Sequence, residues 1–474
     1  MRYSLVTLVA GLATAATAAL AVPASAQAPD TIAVDSIPDA PAPVRSARNS
    51  ATITVTGGGY NRVEGLPVLF GPIIETRLGG ARLRVSALGI VRSADTFRLD
   101  SDNVGHDAKV AVLFDPEQRT SVVARAYDIV DAVEEWQIPR DEAGLAAFFF
   151  RSDFRDHYGR HGASLSGTYA ASRRATLSAS VARERWRSRD VRDVLTVFRN
   201  GKAWRPNPAM DEGLFRIGTL GLAYDDRNDL RRPATGWLVR SEYELGTGDT
   251  DSFGATSSPA RGGAPARRSS YGRLFVDARK YFRLSPTKQL SGRVVLGGWI
   301  HGDELPLQRR LSVSGIGAIP GIDFREPSLG PDVGQCSASP APAGDPAQCE
   351  RALLAQVEYR VGLRSRPGSI IGRTVRIRSR AFTLNPQLLV FVDAGRGWLL
   401  GPRSNDDVAV GAPVQPPGDS RDLVYGASTI PPLGTFRTDI GVGVDLGLFG
   451  IYAAKSLSES GEPVNIFLRA RRRF

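Results

Sequence analysis

Residues 435–448 read TFRTDIGVGVDLGL. Phe436, Ile440, Val442, Val444, Leu446 and Leu448 lie on one side of an extended chain, and Arg437, Asp439, Gly441, Gly443 and Asp445 on the other. A period of two means a β-strand with one apolar and one wet face. The pattern recurs outward from there. In residues 82–93, Leu83, Val85 and Ala87 oppose Arg82, Arg84 and Ser86; in residues 176–181, Leu177, Ala179 and Val181 oppose Thr176, Ser178 and Ser180. About fifteen such segments, separated by Gly, Pro, Asn and Asp, run from residue 60 to the C-terminus. Single-chain membrane barrels have an even number of strands, so sixteen are expected. The missing strand is sought in Thr52–Thr56, Leu195–Phe198 or Val375–Phe382.

Alternation alone fits a soluble sandwich as well as a membrane barrel. Three further features favour the barrel. Arg240, Glu242 and Glu244 oppose Trp237, Val239 and Tyr243, as a polar lumen and a lipid-facing wall require. Trp237, Trp299 and Trp398 stand near segment ends, where aromatic girdles sit. The chain also ends on an alternating segment, and a last strand closed on the first leaves no edge in hydrocarbon. The fold class read from the sequence is all-β: a transmembrane antiparallel β-barrel of sixteen strands spanning residues 51–474.

The N-terminus gives the compartment. Met1-Arg2 is a short basic start, residues 5–22 are apolar, and Ala24-Ser25-Ala26 reads as a cleavage site, so residues 1–26 form a signal peptide. Residues 27–50, with Pro38, Pro41 and Pro43, read as a flexible periplasmic linker. The chain has 474 residues and a net charge of +11, yet its arginines are spread along the alternating segments, so no nucleic-acid partner is expected. Export allows oxidation, and Cys336 with Cys349 reads as a disulfide closing a surface loop, worth about 3 kcal/mol. Ala143–Arg155 breaks the period of two and reads equally as a short amphipathic helix or as an irregular loop.

Catalytic readings are weak. His161 and Ser164 form an H-x-x-S pair suggestive of a lipid hydrolase, but three residues apart on a strand they point to opposite faces. Asp156-His157 with His161 would suit a metal only on a helix, and no further ligand is spaced to join them; Gly57-Gly58-Gly59 lacks the lysine of a phosphate loop. No cofactor, metal or enzymatic activity is expected.

Several stretches, taken in order, resemble the bacterial surface antigen barrel of the BamA/TamA outer-membrane protein assembly superfamily. They are Tyr60-Asn61-Arg62-Val63-Glu64-Gly65-Leu66, then Tyr224-Asp225-Asp226-Arg227-Asn228 with Pro233-Ala234-Thr235-Gly236-Trp237. Glu358-Tyr359-Arg360, Phe391-Val392-Asp393-Ala394-Gly395, Gly441-Val442-Gly443-Val444 and the aromatic C-terminus follow. The resemblance implies a long extracellular loop, residues 302–350, folded back into the lumen. It also implies an arginine at the loop tip that meets acidic residues of the two following strands. Ile319-Pro320-Gly321-Ile322 stands where that motif should be, with proline in place of the arginine. Arg325, shortly after a turn at Pro320 and Gly321, is the expected substitute, with Glu358 and Asp393 as its partners. Ile466, Leu468 and Phe474 are the expected C-terminal signal for insertion by the barrel assembly machinery. Residues 27–50 are too few for a periplasmic POTRA repeat, so a barrel-only form is expected.

The expected role is insertion of client outer-membrane proteins or membrane assembly, in contact with lipid and lipopolysaccharide. An anion-preferring pore is the alternative, since an arginine-lined lumen would favour anions.

Overall fold

The computed structural model describes residues 49–97, 99–114, 119–198, 201, 203–208, 210–230, 232–252, 268–322, 349–363, 374–377, 380–383, 386–400, 424–425, 433, 436–447, 449–458 and 461–474. Residues 1–26, expected to form a signal peptide, and nearly all of the expected linker, residues 27–50, lie outside them.

Sixteen strands follow one another as an antiparallel meander. The first eight are β1 (Ser50–Gly57), β2 (Pro67–Leu78), β3 (Ala81–Arg92), β4 (Val104–Phe114), β5 (Thr120–Val133), β6 (Asp156–Ala170), β7 (Ala175–Ser188) and β8 (Glu212–Asp225). The second eight are β9 (Gly236–Ser252), β10 (Arg268–Ser285), β11 (Lys288–Gly302), β12 (Arg351–Gly362), β13 (Gln387–Leu400), β14 (Arg437–Asp445), β15 (Gly450–Ser456) and β16 (Asn465–Arg469). Each pairs with the next in the chain.

The two faces differ as the alternation demands. Outward residues such as Val181, Leu220, Val390 and Val442 are exposed, while Trp186, Phe215, Glu184 and Asp393 on the inner face are buried. An apolar exterior around a partly ionic interior suits hydrocarbon, where every backbone group must be satisfied within the sheet. The chain is a transmembrane antiparallel β-barrel. No helix among the described residues is long and apolar enough to cross a membrane.

One end of the barrel has short turns, such as 79–80 and 286–287, and the other carries the long connections 134–155, 189–211 and 303–350. The two-residue turn at Gly79-Gly80 needs positive φ to follow the strand twist, and Gly79 supplies φ 58°.

The strand absent from the count of fifteen is β1, where the candidate Thr52–Thr56 lies. Its residues 50–57 are threonine-rich, with only Ile53 and Val55 as large apolar residues, so the pattern is faint. The motif at residues 60–66 is a tight connector between β1 and β2 and is not itself a strand. The described parts of Val375–Phe382 belong to a separate two-stranded hairpin (Thr374–Ile377 with Arg380–Thr383). Residues 195–198 form no strand; Val197 and Phe198 donate their amides to the carbonyls of Phe148 and Phe149.

The segment without period two forms helix α1 (Arg140–Phe150). Asp141 and Glu142 in the first turn suit the positive end of its dipole. Arg151, left-handed at φ 56°, ends it by turning its amide back to Ala147.

Candidate functional site

The described part of the connection after β11 lies inside the barrel. Leu311, Val313, Ala318, Ile319 and Ile322 pack against Phe275, Val295, Ala352 and Leu354 from the inner faces of β10 to β12. Apolar side chains of this loop thus bury in the barrel, giving the in-folded loop that the resemblance implies.

Arg309 anchors the loop. It sits in a short 3-10 turn, Leu307–Arg309, whose Leu307 amide donates to Asp211 at 2.9 Å. Its Nε donates to both oxygens of Glu244 on β9, at 2.7 and 3.0 Å, and its Nη1 donates to the Tyr158 hydroxyl at 2.9 Å. The guanidinium lies over the Trp186 ring, 4.6 Å from its centre. Burial lowers the proton affinity of this arginine, but Glu244 outweighs it, and the pKa ends well above its ordinary value. Three strands, β6, β7 and β9, therefore hold one cation of the loop.

The loop tip reaches the far wall. The Gly321 amide donates to Asp439 Oδ2 at 2.5 Å, and Asn465 on β16 donates to the Pro320 carbonyl at 3.1 Å. A Cβ on Gly321 would stand 2.7 Å from both the Asp439 side chain and the Ser456 backbone nitrogen, so only glycine permits this approach.

The two predicted acidic partners have arginine neighbours of other origin. Glu358 bonds Arg360 on its own strand, and Arg360 also donates to Asp445 at 2.6 Å. Asp393 bonds Arg473, whose guanidinium stacks 3.6 Å from the centre of the Phe391 ring. Asp393 lies directly opposite Asp439, so the loop tip and the C-terminus end on neighbouring carboxylates. Arg325 lies outside the described residues.

The seam between the first and last strands is built differently from the rest of the wall. The expected closure of the last strand on the first is not seen: among the described residues, β1 has a ladder only with β2, and β16 only with β15. After Arg469 the chain leaves the sheet, and Arg473 is buried inside. Helix α1 bridges the gap. Its Glu142 accepts from Arg469 Nε at 2.5 Å and from the Ala470 amide at 3.3 Å. Asp141 accepts from Arg471 at 2.6 Å. On the other side, Tyr60, just past β1, packs edge-on against Phe148 with ring centres 5.1 Å apart.

A buried ionic cluster fixes the connection 134–155. Arg62, wholly buried, meets Asp153 at 3.1 Å and Asp156 at 3.0 Å, and His157 Nε2 lies 3.0 Å from Asp153. Burial alone would raise the Asp153 pKa, but the His157 ring and the Arg62 guanidinium hold it well below the usual carboxylate range. A depressed carboxylate pKa adds stability above the unfolded value, near 4, and loses it as pH falls further. Protease resistance of residues 134–155 should thus be flat from pH 8 to about 5 and decline below about pH 4. An unchanged cleavage rate at about pH 3 would contradict this role for Asp153.

Ile466 and Leu468 face outward, whereas Phe474 is buried beyond the end of β16. The backbone of Cys349 is buried and pairs with that of Leu311 (N–O 2.9 and 3.0 Å), while Cys336 lies outside the described residues. On β6, His161 is exposed on the outer face, 3.2 Å from Asp128, and Ser164 belongs to the other face.

No protein-family model matches the chain, and no curated protein matches it. Among solved structures it is similar to BamA from Haemophilus ducreyi lacking POTRA domains 1–3. That match has 13% identity and a TM-score of 0.48, and covers 89% of this chain and 70% of that one. It is also similar to CdiB from Acinetobacter baumannii (11% identity, 89% and 58% covered, TM-score 0.33). CdiB from Escherichia coli gives 12% identity, 90% and 62% covered, and a TM-score of 0.36. The chain spans about six-tenths of the length of the two CdiB proteins.

Arg309 and Glu142 escaped the sequence reading, and Glu244 was read only as a polar residue of the lumen face. A signal was present in Leu305-Pro306-Leu307-Gln308-Arg309-Arg310-Leu311, where paired arginines interrupt an apolar run inside a presumed loop.

Proposed function

We propose that this chain is an exported outer-membrane barrel that helps other polypeptides insert into, or cross, the outer membrane. The observation that carries the reading is the outer edge of β1, which has a ladder with β2 alone among the described residues. An unpaired strand edge in a membrane is a template for another strand, because main-chain groups there gain most from pairing. The in-folded loop favours this role over a general pore, since its apolar side chains pack against the inner wall of β10 to β12. A Cys336–Cys349 disulfide would tie off the outer part of the same loop. We assign no catalysis to the chain.

The test is to fold a small unfolded test barrel into vesicles that carry the full chain with a photo-crosslinking residue at Thr54. Faster folding than in empty vesicles, with crosslinks from Thr54 to the test barrel, is expected. Equal rates and no crosslink would reject the role.

A further inference from the structure

The upper outer wall of β7 and β8 carries a group of arginines that the barrel itself does not explain. Arg183, Arg185 and Arg187 are successive outward residues of β7, all exposed, and Arg216 on β8 lies directly opposite Arg183. Like charges facing each other across a pair of strands, with Cβ atoms about 5 Å apart, destabilise a sheet. Arg183, Arg187 and Arg216 make no ion pair among the described residues. Glu212, at the start of β8 beyond Arg216, accepts from the Ser188 amide at 2.9 Å, and the other acidic groups on the same outer face lie to the sides. Asp249 stands opposite Leu214, and Asp128 is engaged with His161, which itself faces Arg185.

Below the arginines the same wall turns apolar. Val181 is the next outward residue of β7, with Leu165 opposite it on β6, and Leu220 and Leu222 follow on β8. The change from cationic to apolar falls within two residues of one strand, or about 7 Å. The arginines lie toward the end with the long connections, because β7 ends at Ser188 and residues 189–211 follow.

We propose that this wall binds a phosphorylated lipid of the leaflet at that end. Its phosphate bridges Arg183 and Arg216, with Arg187 beside it, and its acyl chains run down over Val181, Leu165 and Leu220. Arginine guanidinium forks match phosphate oxygens in pairs, and an anion between Arg183 and Arg216 turns their repulsion into attraction. The apolar strip below selects a lipid over a free anion.

Native mass spectrometry of the full chain in detergent tests this, with a diphosphorylated glycolipid (lipid A), its dephosphorylated form and inorganic phosphate as probes. The diphosphorylated lipid should bind wild type roughly tenfold or more tightly than it binds the double variant Arg183→Gln/Arg216→Gln. The dephosphorylated lipid should not distinguish the two proteins. In lipid-free detergent the double variant should unfold at a higher temperature than wild type, because the repulsion is gone; this also shows that it folds. Arg187→Gln should weaken binding less. Equal affinity of wild type and double variant would overturn the proposal. So would complete competition by millimolar inorganic phosphate, which would make the site one for a free anion.

Discussion

Replacing Arg309 by alanine is expected to unseat the loop from the lumen. The substitution removes the cation bound to both oxygens of Glu244 and to the Tyr158 hydroxyl, and it bares the Trp186 ring. Removing one member of a buried ion pair typically costs about 3–5 kcal/mol, because the other charge stays buried without compensation. Glu244 is 4% exposed, so little water reaches it. The loss should appear as a lower unfolding temperature of the folded band in gel mobility, and as steady conductance in planar bilayers where wild type is silent or flickering. A double change, Arg309→Met with Glu244→Leu, should recover most of the stability, since an apolar pair of similar volume replaces two matched charges. If Arg309→Ala alone left both readouts at wild-type values, the loop would be held by its apolar residues and not by this cation.

The second large effect is expected at Glu142. This carboxylate is the one link that joins helix α1 to both the Arg469 side chain and the Ala470 amide. Glu142→Ala leaves a 2%-exposed arginine on the last strand without that partner, a cost of about 3 kcal/mol or more. The effect should be local. The C-terminal residues 470–474 should become sensitive to carboxypeptidase while the rest of the barrel keeps its unfolding temperature in gel mobility. Loss of the whole barrel fold, or full protection of the C-terminus, would each show that the helix does not act as the seam's clasp.

Much of this architecture was legible in the sequence, and what was not has physical causes. Fifteen of the sixteen strands announced themselves because one face of each meets lipid and the other the lumen, so composition must alternate, as in Ile440, Val442 and Val444 against Asp439, Gly441 and Gly443. β1 was faint because its threonines suit either face. The last segment read as a strand to residue 474 but leaves the sheet after Arg469, because Arg473 finds Asp393 inside the barrel, a contact between residues 80 positions apart. Arg309 and Glu142 belong to the same class: their partners are set by tertiary proximity, and no local period marks them. The acidic residues Glu358 and Asp393 were found because they sit on the wet face of recognisable strands, yet their arginine neighbours Arg360 and Arg473 come from the same strand and from the chain terminus.

The contact between Glu142 and Arg469 spans 327 positions of the chain. Neighbouring strands from β2 to β11 can pair in sequence, each closing a loop far shorter than this separation, whereas this contact must await the last strand. The loop residues Gln137 and Ser312 touch inside the lumen, 175 positions apart, so the plug has to be seated while the wall is still open. Folding therefore has a fixed order of events. The sheet curls around a cargo of its own loops, and the helix fastens the last strand only after everything within is in place.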